Sequence, residues 1–214
     1  MIVYLHGFGS GPGSTKARAV AGRFATLGVA VEVPDLTPGA EGFERSTPSS
    51  MLAVAEARLA APGPHGVVGS SLGGWLAAIA ASRNPAVERL VLLAPAFRLR
   101  ERWSARAGAA AIARWRAEGG AEVYHHASAR NRRIGWAFFE DAARWPAMPV
   151  VRVPALVVAG RRDDTVPLED VEAWVARTPG ARLEVVDDGH ELTGSLERIV
   201  ALTRGFLLPW ARPA

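Results

Sequence analysis

The chain has 214 residues, 49% of them hydrophobic, and a formal charge of +4 at pH 7. That is enough apolar material for one domain with a sizeable core, and no apolar run is long enough to span a bilayer. Cysteine is absent, which excludes disulfides, thiolate metal sites and cysteine nucleophiles.

Lys16 is the only lysine, so nearly all positive charge is arginine. The arginines are scattered, with small clusters at 98–102, 130–133 and 161–162. A nucleic-acid binder concentrates such residues in one patch or stripe, so no nucleic-acid partner is expected. Met1 is followed at once by strand-like residues, without a basic segment or a small-residue cleavage site. The expectation is therefore a cytoplasmic protein without a membrane partner.

In chain order, strand-like and helix-like segments alternate. Ile2–Leu5 reads as a short buried strand, and Ser14–Gly28 as a helix with Ser14 or Thr15 as its cap. Val29–Val33 reads as the next strand. A polar, proline-containing stretch leads to a helix over Ser49–Ala61. His65–Ser70 is a strand running into a turn, and Leu72–Arg83 an alanine-rich helix stopped by Asn84-Pro85. Val87–Phe97 contains a buried strand. The stretch 98–153 breaks the rhythm: it has helix-like and irregular pieces, four tryptophans and no clear buried strand. It is expected to be an insertion forming a lid over one edge of the sheet. Pro154–Gly160 is a strand, Asp170–Thr178 a helix, Ala181–Gly189 a strand with its loop, and Ser195–Leu208 a closing helix.

Near-continuous apolar strands separated by helices predict an α/β fold, with a mostly parallel sheet of about six strands covered on both faces. In such sheets chemistry gathers in loops at the carboxyl ends of strands. Gly69–Gly73, "GSSLG", is a G-x-S-x-G pattern between a strand and a helix. The tight turn exposes the Ser71 hydroxyl, and the free N–H groups of the following helix suit an oxyanion. A serine nucleophile needs a base, and the base needs an orienting carboxylate. "GRRDDTVP", 160–167, supplies Asp163 and Asp164 after a strand. Spacing from Gly160 and from Val166-Pro167 favours Asp163, while Asp164 fits the start of a helix. "DDGHEL", 187–192, places His190 in a glycine-flanked loop. Imidazole titrates near neutral pH and can accept and return a proton. The order Ser71, Asp163, His190 is that of α/β-hydrolases.

The opening "YLHGFGSGPGSTKA" is glycine-rich and invites comparison with phosphate loops. The P-loop ending fails, because the only lysine stands in Ser14-Thr15-Lys16-Ala17. The dinucleotide register fails too, because Gly7 and Gly9 are followed by Pro12. The stretch fits an oxyanion loop, with the Phe8 amide joining that of Leu72. Its strand should then neighbour the strand that carries Ser71.

Together, His6-Gly7-Phe8, Gly69–Gly74, Gly160–Pro167 and Gly189-His190 resemble the α/β-hydrolase superfamily over nearly the whole chain. "YLHGFGSGPGSTKA" with "VVGSSLGGW" is similar to the small bacterial esterases of the YqiA type. The resemblance implies a carboxylesterase or acyl thioesterase acting on small acyl groups, with no cofactor. It also makes His6 structural, bonded to the loop. Two departures are a glycine at Gly9, where those esterases carry a polar residue, and a longer lid. Phe97, Trp103, Trp136 and Phe139 are candidates to line an acyl pocket, against the plainer reading as core aromatics. Arg130, Arg132 and Arg133 could meet an anionic substrate or form a solvated face. His125 and His126 lack an acidic partner at useful spacing, so no metal is expected, and His65 is read as packed or solvated. An amide, peptide or lactone hydrolase with the same triad, or a non-catalytic binding protein on this fold, remains an alternative.

Overall fold

The computed structural model describes residues 1–39 and 42–211. Six strands form one sheet: β1 (Ile2–Leu5), β2 (Val31–Glu32), β3 (His65–Ser70), β4 (Val87–Leu93), β7 (Ala155–Gly160) and β8 (Ala181–Val186). Their order is β2-β1-β3-β4-β7-β8, and every pairing is parallel. β1 pairs with β3, so the opening loop and the Ser71 turn leave neighbouring strands on the same rim.

Residues along each central strand alternate between two cores, as the two-residue period requires. Val3, Leu5, Val67, Leu90, Leu92 and Val157 face one core; Ile2, Tyr4, Val68, Val91, Leu93 and Val158 face the other. The first core is closed by α3 (Pro48–Leu59), α4 (Leu72–Arg83) and α8 (Leu168–Ala176), the second by α1 (Thr15–Ala25) and α9 (Leu196–Ala211). Burial on both faces explains why these strands read as unbroken apolar runs. α4 is buried from Leu72 to Ala81, which its alanine content permits at close packing distance.

The helix boundaries differ from expectation where local chemistry decides them. α3 begins at Pro48 because Thr47 and Ser50 form a reciprocal capping box. α1 starts at Thr15, but its N-cap Ser14 makes no side-chain capping bond. α9 continues through Pro209 to Ala211. β2 is only two residues long, not the five expected.

The segment between β4 and β7 contains α5 (Leu99–Ala107), α6 (Ala109–Glu118), an antiparallel hairpin of β5 (Gly120–His125) and β6 (Arg130–Gly135), and α7 (Trp136–Asp141). It is therefore not wholly helical. The hairpin escaped sequence reading because it is half-exposed and carries no buried apolar run. α2 (Gly42–Arg45) lies against β6. β4 and β7 are neighbours in the sheet, so this segment leaves and returns near its middle rather than at an edge.

Candidate active site

Ser71 occupies the turn between β3 and α4 with φ 53° and ψ −117°, a conformation that costs a non-glycine residue energy. The surroundings hold it there. The Ser71 amide donates to Leu93 O at 2.9 Å, and its carbonyl accepts from Gly74 and Ala96 amides. A side chain at Gly69 would strike the Gly73 carbonyl, and one at Gly73 would strike that of Leu5. These two glycines let α4 start directly against the ends of β1 and β3.

Asp163 follows β7. Its Oδ1 accepts from the amides of Thr165 at 2.9 Å and Val166 at 2.7 Å, which leaves Oδ2 free to face His190 Nδ1 at 2.8 Å. The Asp163 side chain is 1% exposed. The Nδ1–H of His190 donates to it, so Nε2 carries the lone pair, and that atom lies 2.9 Å from Ser71 Oγ. The neighbouring Asp164 is exposed and, among the described residues, accepts only from Thr165 Oγ1 at 3.1 Å. The structure thus brings Ser71, His190 and Asp163 into one hydrogen-bonded line and leaves Asp164 outside it.

The loop that presents His190 is itself clamped. Asp188 Oδ1 accepts from the Gly189 amide, and Oδ2 from the Ser195 amide, both at 2.8 Å. Burial opposes ionisation of Asp188, but these bonds, with those from the Ser195 hydroxyl and the Gly194 amide, outweigh it and hold the carboxyl below its ordinary value. Lys16 Nζ donates to the carbonyl of Glu191 at 2.7 Å. Burial lowers the Lys16 ammonium pKa, against the attraction of Glu191, Asp163 and Asp188. Sequence reading missed both residues. The signals were present: an Asp-Gly pair just before the histidine, and a sole lysine in the first turn of a helix.

The opening loop leaves β1 beside this line. His6 is buried; its Nε2 accepts from the Leu36 amide at 3.1 Å, so Nδ1 carries the proton and donates to Gly7 O at 3.0 Å. Burial lowers the His6 pKa and keeps the ring neutral, which this bonding pattern requires. The Ser10 amide also donates to Gly7 O, at 3.2 Å. Gly7 C=O and Phe8 N–H belong to one planar peptide and point in opposite directions. Anchoring the carbonyl therefore aims the Phe8 N–H. Among the described residues the Phe8 and Leu72 amides have no hydrogen-bond acceptor.

Ser71, Leu72, His190 and Phe8 line a cleft of about 1020 Å³. Its lining mixes the polar Ser10, Ser14, Thr15, Lys16 and Thr193 with the apolar Leu99, Trp103 and Val123, and Arg102 and Arg106 also reach it. Of the candidate pocket residues, Phe97 and Trp103 line this cleft. Phe97 is fully buried and stacks on Trp174. Trp136 and Phe139 do not reach it. They pack on each other and on Trp115 and border a separate depression beside α6, a correction with a simple cause: α7 turns that face away from Ser71. Arg130, Arg132 and Arg133 do not line the cleft either; Arg133 pairs with Glu44 at 3.3 Å, and Arg132 lies over the Phe43 ring. His126 lines the cleft, His125 is buried against Phe43, and His65 is buried with Nε2 3.0 Å from Ala61 O. Among the described residues no cluster of His, Asp and Glu could hold a metal, and no helix is long and apolar enough to cross a membrane.

Solved structures share this architecture. Mouse alpha/beta hydrolase domain-containing protein 10 is 22% identical with a TM-score of 0.82, covering 98% of this chain and 90% of its own. Est1E from Butyrivibrio proteoclasticus is 22% identical with a TM-score of 0.77, covering 97% and 86%. An esterase from Pyrococcus furiosus is 19% identical with a TM-score of 0.71, covering 99% and 83%. No curated protein matches the sequence significantly. The fold, a six-stranded parallel sheet with flanking helices, is that of the α/β-hydrolases. The family model described as "Uncharacterised protein family (UPF0227)" matches residues 1–201, and the chain, YqiA-like in its motifs, belongs to that family.

Proposed function

We propose that the protein is a serine hydrolase that cleaves carboxylic ester or thioester bonds of small acyl substrates through an acyl-enzyme. The observation that carries this reading is the continuous line from Ser71 Oγ through His190 to a buried Asp163, at 2.9 and 2.8 Å. The naming of the Pyrococcus furiosus protein as an esterase supports the same chemistry.

In this mechanism Ser71 Oγ attacks the substrate carbonyl carbon while its proton passes to His190 Nε2. Asp163 stabilises the imidazolium that forms and holds it in register. The carbonyl oxygen becomes an oxyanion, bound by the Phe8 and Leu72 amides. Those donors are already oriented, so no reorganisation opposes the transition state, and each is worth about 3–4 kcal/mol. Collapse breaks the bond to the leaving group, an alcohol or thiol, which takes the proton from Nε2. Water then attacks the acyl-enzyme as His190 accepts its proton, and the carboxylic acid departs as Ser71 recovers the proton. Every step uses side chains, backbone amides and water, with no cofactor. The segment 98–153 is the lid, and its Leu99, Trp103 and Val123 side chains receive the acyl group. The substrate is a small molecule and the protein acts in the cytoplasm.

A fluorophosphonate probe tests the reading. The wild type should label, and Ser71→Ala should not. A folded wild type that neither labels nor hydrolyses p-nitrophenyl esters would overturn it.

A further inference from the structure

The oxyanion loop has two sets of anchors. Gly7 is held from within the sheet domain, by His6 and the Ser10 amide. Phe8 and Gly9 are held mainly by the segment between β4 and β7. The Ala127 amide, at the turn between β5 and β6, donates to Gly9 O at 3.0 Å. Gly9 has φ +62°, and a side chain there would come within 3.1 Å of Tyr124 O, so the hairpin sits directly on the loop. The Phe8 ring contacts Trp103 of α5 edge-on at 5.1 Å and Phe138 of α7 at 5.3 Å. Trp103 and Phe138 stack on each other, and Phe138 is fully buried. Phe43, also against Phe8 at 5.2 Å, is in turn packed on His125 of the hairpin. His125 Nδ1 and Ser128 Oγ lie 2.8 Å apart and close the hairpin turn.

Phe8 is thus clasped on its side chain and on the next carbonyl by elements that a simple cover would not need. We infer that Ala127, Phe138 and Trp103 are positioning residues for the oxyanion hole, so that the segment 98–153 sets the place of the Phe8 amide as well as shielding the cleft. This rests on the serine-hydrolase reading above. The glycine at Gly9 is the enabling feature: only a residue free to take positive φ, and without a side chain, lets the hairpin approach this closely.

The test uses Ala127→Pro, which removes the N–H donated to Gly9, and Phe138→Leu, which loosens the packing behind Phe8 without lining the cleft. Hydrolysis of a p-nitrophenyl ester and inhibition by a matched trifluoromethyl ketone are measured for each, with thermal melting as the fold control. Misplacing the donor should lower kcat by about tenfold or more while KM moves less than about threefold. The ketone, whose adduct carries the oxyanion, should lose affinity by the same factor as kcat/KM. The shape of the pH profile should stay in place, since neither variant touches the hydrogen-bonded line of Ser71, His190 and Asp163. Folded variants with kcat within about twofold of wild type, or with a raised KM alone, overturn the inference. If Ala127→Pro does not fold, Phe138→Leu decides. Failure of the underlying reading looks different: the wild type is then unlabelled by fluorophosphonate, or Ser71→Ala keeps its turnover.

Discussion

The three loops that carry Ser71, Asp163 and His190 contrast with the segment that faces them. The Ser71 and Asp163 loops leave parallel strands that are buried throughout, and the His190 loop leaves β8, whose last residue, Val186, is buried. Each is then tied by hydrogen bonds to backbone groups: Ser71 through its own amide and carbonyl to Leu93 and Ala96, Asp163 through its carboxylate to the Thr165 and Val166 amides, and the His190 loop through the Asp188 carboxylate to the Gly189 and Ser195 amides. The facing segment has only a half-exposed two-stranded hairpin, short helices and aromatic stacks. Apart from the Ala127 amide on Gly9 O, its attachment to the sheet domain runs largely through side chains. Asp170 at the start of α8, 5% exposed, binds Arg102 of α5 at 2.6 Å and Arg98 at 3.4 Å. The reacting side chains are thus held by hydrogen bonds to backbone groups at the strand ends, and the facing segment rests mainly on side-chain packing.

Substitutions can break or sharpen this contrast. The largest effect should come from Ser71→Ala, which should cut kcat by about a million-fold, because the nucleophile is gone and only the oxyanion donors and binding remain. Burst kinetics and titration of active sites check it. Asp163→Asn should follow with a loss of about ten-thousand-fold, because the amide favours the wrong His190 tautomer. Asp164→Asn should change turnover little, since Asp164 touches neither His190 nor Ser71. The reverse ranking would reassign the acid.

Asp170→Asn probes the other region. It removes the carboxylate that two arginines share. Those arginines are partly exposed and can recover water, so the cost should be about 1–3 kcal/mol, below that of a fully buried pair. A lower Tm without loss of far-ultraviolet circular dichroism is the expected result; an unchanged Tm would mean that aromatic packing alone anchors α5.

The smaller effect on stability concerns His6. Burial holds its folded-state pKa below the ordinary 6.5, so the unfolded chain binds a proton that the folded chain refuses. Its contribution to stability is complete above about pH 6.5 and is lost as pH falls from there through the lowered folded-state value. The slope cannot exceed about 1.4 kcal/mol per pH unit for one proton. Denaturant midpoints measured from pH 7 to pH 5 should fall more steeply for the wild type than for His6→Asn. Equal slopes would show that His6 is not the group refusing the proton.

Much of the fold was legible because burial on both faces writes itself into sequence. β1, β3, β7 and the helix α4 have the bounds, or nearly the bounds, that the apolar runs and glycine punctuation indicated. The G-x-S-x-G turn and the order of serine, aspartate and histidine pointed to the strand ends at which the structure now places those side chains, within hydrogen-bond reach. β5 and β6 stayed invisible because their pattern of exposed arginine, glutamate and asparagine carries no core signal. Trp136 and Phe139 were grouped with Trp103 because aromatic composition does not say which way a helix face turns.

Sequence alone thus determined the parallel sheet, the turn that exposes Ser71 and the identity of the three polar side chains, since local backbone chemistry and periodic burial decide these. Only tertiary structure decided that Asp188 clamps the histidine loop and that a hairpin more than a hundred residues away bonds to Gly9. Those outcomes depend on which surfaces meet when the sheet closes, and no local propensity encodes that meeting.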